Sequence, residues 1–98
     1  MVKHMIIWKL KDEFVGAIER KQAIKEALEG LVGKIDGLGS MKILFDPMEG
    51  SAGDVMMDSE FADKEALAAY QKHPLHVEIA NGLVRPAVAL RLSFDYEA

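Results

Sequence analysis

The nine residues from Val2 to Leu10 constrain the fold more than any other stretch, because they make a strand that is greasy on both sides. β-branched and aromatic side chains dominate the run, no helical spacing is present, and Lys11-Asp12-Glu13 closes it. Alternation along a strand sends His4, Ile6, Trp8 and Leu10 to one face and Met5 and Ile7 to the other, with Lys3 and Lys9 at the rims. A strand apolar on both faces belongs to a sheet covered on both faces. That requirement carries through the rest of the chain.

From about Val15 the period becomes helical. Ile18, Ile24, Leu28, Leu31 and Ile35 recur on one side while Glu19, Lys25, Glu26 and Glu29 take the others, which predicts an amphipathic helix of about five turns. Gly30 and Gly33 weaken its end, and Asp36-Gly37-Leu38-Gly39 is a turn. Met41 to Phe45 and Asp54 to Phe61 predict two strands of a hairpin, joined by the Gly- and Pro-containing stretch Asp46 to Gly53. Asp63 is placed to cap a second helix with Ala66, Leu67 and Tyr70 on its inner face. Pro74 forces His73 out of the α region and ends that helix near Lys72. A short helical piece then starts at Pro74, carries His76 and Ile79, and ends at Asn81-Gly82. Pro86 suits only a strand start or edge, and Val88 to Tyr96 alternates Val88, Leu90, Leu92 and Phe94 against Ala89, Arg91, Ser93 and Asp95.

The order is βαββαβ, an α+β ferredoxin-like antiparallel sheet with helices on one face. Two helices cover one face of four strands. The other face, with Met5, Ile7 and Leu44, then needs a partner, and a homodimer packed sheet against sheet supplies it with twofold economy.

At 98 residues the chain fits a single domain, residues 1–98, since two cores of half that size would each be marginal. No segment approaches the length of apolar sequence that spans a bilayer, and Lys9, Lys11 and Asp12 interrupt the first apolar run too early for a signal peptide. A cytoplasmic protein is expected. The absence of cysteine removes disulfides, thiolate nucleophiles and Cys-ligated zinc. A net charge of -4 without a dense Lys/Arg cluster argues against nucleic acid and against an anionic membrane surface as partners.

Chemistry concentrates in Tyr70-Gln71-Lys72-His73-Pro74-Leu75-His76-Val77, which holds two of the three histidines and one of the two tyrosines. An imidazole beside a phenol can move protons at neutral pH with no metal and no cofactor. The strand-borne His4 is placed to orient either ring or to serve as a bonded core group. His-x-x-His broken by Pro does not put both rings on one helical face, so no metal site is expected. Trp8, Phe61, Met41 and Met57 line the same apolar space by parity, and the Gly-containing turns lack what a phosphate loop needs.

Val2 through Asp12, Phe61, the element Ala69-Tyr70-x-x-His73-Pro74-x-His76-Val77 and Arg91-x-x-x-Asp95-Tyr96 together resemble the stress-responsive A/B barrel domain family over the whole chain. The resemblance implies a dimeric α+β barrel. It also implies a pocket between sheet and helices, in which the family's plant polyketide cyclases close a poly-β-keto thioester with a Tyr and a His. The positions matching that pair are Tyr70 and His76, accompanied by His4 and His73. On this reading His76 takes a proton next to a carbonyl and Tyr70 donates to the developing enolate oxygen, a cofactor-free cyclase- or lyase-like chemistry. Trp8, Met57, Phe61 and Arg91 join His4 and His73 as binding residues. Arg91 and Ser93 favour a smaller or more polar ligand than a tunnel for a polyketide holds, and Ile35-Asp36-Gly37 departs from the family's proline-containing turn. Two other functions compete. One is a non-catalytic oligomeric stress-associated protein in which His73 and His76 cap helix ends; the other, ranked lower, is a cofactor-free monooxygenase.

Overall fold

The computed structural model describes residues 1–98. Its elements run β1 (Val2–Leu10), α1 (Asp12–Val15), α2 (Ile18–Glu29), β2 (Leu38–Phe45), β3 (Val55–Phe61), α3 (Lys64–Lys72), α4 (Pro74–Ile79) and β4 (Val88–Glu97). The strands form one antiparallel sheet in the order β2-β3-β1-β4. This is the ferredoxin-like α+β plan. No helix is long and apolar enough to cross a membrane.

Alternation does what the sequence pattern asks of it. Val2, His4, Ile6, Trp8 and Leu10 of β1 are buried, as are Val55, Met57, Ser59 and Phe61 of β3 and Met41 and Ile43 of β2. The apolar ones among them meet Ile24, Leu28, Leu67 and Tyr70 from the helices in one core, with His4 and Ser59 as its buried polar groups. On the opposite face Ile7, Leu44, Leu90, Leu92, Phe94 and Tyr96 stand exposed, Phe94 at 70%. The helices cover β1 to β3, whereas β4 lies at the sheet edge with nearly every residue open.

Three expectations are corrected. The first long helix spans 12 residues rather than about five turns: Leu31 and Ile35 are buried from the turns that follow it, and Ile18 is 57% exposed. The buried position nearer its start is Lys21, whose ammonium leaves the core by donating to the Val15 carbonyl at 2.7 Å. The helical path after Pro74 does not stop at Asn81-Gly82 but continues through a π-helical turn, Ala80–Val84, and a 3-10 turn, Arg85–Ala87, which contains Pro86. Finally, Val88 pairs with Leu10 while Leu90 pairs with Lys9, a register shift that returns Val88 to the inner face.

One glycine fixes how α3 meets the sheet. Gly37 has φ +83°, and a Cβ there would lie 2.5 Å from the Ala66 Cβ. Its carbonyl accepts from the Ala62 N–H at 2.9 Å, so the start of β2 and the entry to α3 are tied together.

Candidate active site in the helical-face cavity

The site is built around the break between α3 and α4. Asp63 caps α3, its carboxylate accepting from the Ala66 N–H at 2.8 Å, and the helix runs until Pro74 removes His73 from helical geometry (φ -66°, ψ 133°). Pro74 then opens α4 at a position where a missing N–H costs nothing. Tyr70 in the last turn of α3 and His76 in α4 are thereby turned toward the sheet. The π-helical turn after α4 bends Ala80, Val84 and Arg85 around the same space.

These elements and the inner face of β1, β3 and β4 enclose a cavity of about 360 Å3. Ile6, Trp8, Leu28, Met57, Val84 and Val88 give it apolar walls, and His4, Tyr70, Gln71, His76, Arg85 and Arg91 give it polar ones. Four rings run in series beside it. His4 meets Phe61 edge-on at 6.3 Å between centroids, Phe61 lies 4.9 Å from Tyr70, and Tyr70 lies 4.2 Å from His76 at an interplanar angle of 36°. Phenol and imidazole therefore stack; they are not hydrogen-bonded to each other. The Tyr70 hydroxyl and the His76 Nδ1 are both buried without a partner, an uncommon condition for polar atoms in a folded interior.

Burial sets the protonation of both groups. It pushes the Tyr70 hydroxyl above the ordinary tyrosine range, against a weaker opposing field from Arg91. It also pulls His76 below its ordinary 6.5; the Gln71 carbonyl works the other way, and the charges of His4, Arg85 and Arg91 add to the lowering. Near neutrality the site thus presents a neutral imidazole and a protonated phenol. Across the cavity His4, only 2% exposed, bonds through Nδ1 to the Asp95 carboxylate. Since a carboxylate only accepts, Nδ1 carries the hydrogen and the ring's orientation is set. Ser59 secures the same strand by donating to the His4 carbonyl at 2.7 Å.

The structure brings Tyr70, His76, His4, Trp8, Met57 and Arg91 together on one cavity. It does not bring in His73, whose Nδ1 accepts from the Leu75 N–H at 3.1 Å and caps α4, nor Phe61, which is fully buried behind Tyr70. His76 makes no such cap. Met41 is core rather than lining. No group of three His, Asp or Glu side chains converges in a way that could hold a metal ion. Sequence reasoning missed Asp95 and Arg85. Asp95 could have been found from strand pairing, since His4 and Asp95 are direct partners in the β1–β4 register; Arg85 depends on the π-helical turn, for which the residues give no signal.

A larger hollow of about 630 Å3 lies on the other face of the sheet, between Ile7, Leu44, Leu90 and Leu92 and the loop that includes Pro47 and Gly53. It contains no His or Tyr, and its floor is the exposed apolar surface described above. Size and chemistry point to different hollows, and the chemistry lies in the smaller one.

Solved structures share this architecture. A dimeric ferredoxin-like protein of unknown function from Bacteroides fragilis is 28% identical with a TM-score of 0.84, over 99% of this chain and 95% of its own. An Arabidopsis thaliana protein is 27% identical with a TM-score of 0.85, over 100% and 95%. A hydroxynitrile lyase from Passiflora edulis shares the fold at 15% identity and a TM-score of 0.80, over 97% and 90%. No curated protein sequence matches significantly. The profile of the stress responsive A/B barrel domain matches residues 2–98, nearly the whole length over which the sheet, the broken helix and the cavity extend, and the chain belongs to that family.

Proposed function

We propose that this protein binds a small carbonyl compound in the helical-face cavity and moves a proton next to the carbonyl without a cofactor, as a polyketide cyclase does. The observation that carries this reading is the stacked Tyr70–His76 pair, whose hydroxyl and Nδ1 are buried, unpartnered and adjacent to the cavity. The two groups are separated in role by their surroundings. A neutral His76 can accept the proton, while a tyrosine held protonated by burial donates to the enolate oxygen as charge develops. His4, fixed by Asp95, steadies the far wall.

The decisive experiment follows deuterium exchange next to the carbonyl in a panel of small aliphatic and aromatic ketones and keto acids by NMR. Wild type is expected to accelerate exchange in at least one member, and Tyr70→Phe and His76→Gln to lower that rate by roughly 100-fold while remaining folded. Equal rates in all three proteins would end the catalytic reading. The non-catalytic alternative is favoured by one observation: Tyr70 is only 1% exposed and packs on Phe61, as a core residue does.

The assembly forms part of this proposal. Two copies pair through the outer faces of their sheets, covering Leu90, Leu92 and Phe94 and the larger hollow. That the similar ferredoxin-like protein from Bacteroides fragilis is dimeric supports a dimer, and the exposed apolar row supports this choice of face. A cytoplasmic setting fits a chain of 98 residues without cysteine.

A further inference from the structure

We propose that the ligand of the helical-face cavity is an organic monocarboxylate with a compact apolar body, its carboxylate held by Arg85 and Arg91. The inference rests on the reading of this cavity as a ligand site and specifies the chemistry of what enters it. The first observation is the charge inventory of the walls. They contain two arginines and two histidines and no Asp or Glu, in a chain whose 16 acidic residues outnumber its 12 Lys and Arg. Asp95, the carboxylate that reaches a wall residue, is engaged by His4 Nδ1.

The second observation is that both guanidinium groups are free. Neither Arg85 nor Arg91 forms an ion pair or a side-chain hydrogen bond, whereas Arg20 donates to the Leu83 carbonyl; Lys9, Lys11, Lys34, Lys42 and Lys72 are unpaired too, but they stand on the open surface, and the two arginines alone among the unpaired cations line this cavity. A planar fork of N–H donors beside a partly desolvated, apolar wall is suited to a carboxylate, which it can engage through two parallel bonds. The Tyr70 hydroxyl and His76 Nδ1, buried without a hydrogen-bond partner on the same cavity, give a polar ligand further groups to meet. The rest of the lining sets the body of the ligand. Ile6, Trp8, Leu28, Met57, Val84 and Val88 favour hydrocarbon or an aromatic ring, and about 360 Å3 lies at the small end for ligand pockets. A cation is disfavoured by every charge in the lining.

Trp8 is the sole tryptophan and lines the cavity, with Arg91 as its partner across β1–β4, so its fluorescence reports occupancy. The test titrates 3-phenylpropionate, benzoate and hexanoate, each against its own primary amide, into wild type and into the double variant Arg85→Gln, Arg91→Gln. Both arginines are exposed, so the fold is expected to survive; circular dichroism checks it. Wild type should bind at least one acid about tenfold more tightly than its amide, and the double variant should lose that preference while holding the amide within about twofold. Acid and amide binding wild type equally, or a preference that survives in the double variant, overturns the anion assignment and leaves the cavity as a ligand site. No response of Trp8 to any of the six compounds overturns this proposal together with the ligand-site reading beneath it.

Discussion

At the scale of single residues, Tyr70 shows how a site and a core make opposite demands on one side chain. Its buried hydroxyl has no partner, and leaving a buried polar group unsatisfied costs about 1–3 kcal/mol. Tyr70→Phe is therefore expected to raise the free energy of unfolding by about 1 kcal/mol in urea melts, in the same variant that loses proton exchange. His76 gives a second prediction. Its pKa is lowered in the folded protein, so the native state binds fewer protons than the unfolded chain, and the stability it contributes is complete above its ordinary 6.5 and lost as pH falls through the lowered value. Urea melts between about pH 5 and 8 should show wild type weakening toward acid, with His76→Gln weakening less over that window. Both residues were legible in the sequence because they flank a proline in a recognisable pattern. Their stacking was not, since ring orientation depends on Phe61 and on the path of the chain beyond Ile79.

At the scale of elements, local signals proved the most readable. The Asp63 cap, the end of α3 at Pro74 and the restart of α4 are each dictated by two or three neighbouring residues. Asp63→Ala should cost about 1 kcal/mol by chemical denaturation, and Asp63→Asn much less, because Asn caps nearly as well. Where tertiary packing decides, the sequence misleads. Leu31 and Ile35 keep apolar spacing beyond Glu29, so they read as helix while actually filling the core from turns. Asn81-Gly82 has the composition of a helix stop, yet Arg20 reaches across to the Leu83 carbonyl at 3.1 Å and the backbone continues into a π-helical turn. The Val88 shift arises the same way, from a bulge that alternation alone does not reveal.

At the scale of the whole molecule, the requirement for cover on both faces came from β1 and from Leu44 of β2, and the exposed row on β4 is its counterpart in the structure. Leu92→Glu should leave the protomer folded, because the side chain is 59% exposed there, and should shift the mass measured by light scattering from a dimer to a single chain. A wild-type protein that runs as one chain at every accessible concentration would refute the pairing. Pairing through the edge strand β4 would tie stability to mass action. If the strand's outer row is dry only when two chains meet, dilution lowers stability without unfolding the protomer, and the melting temperature should climb with protein concentration. The strand that carries Arg91 and Asp95 would then be firm only where the protein is abundant, so that a wall of the cavity on one face is held by the crowding of copies on the other.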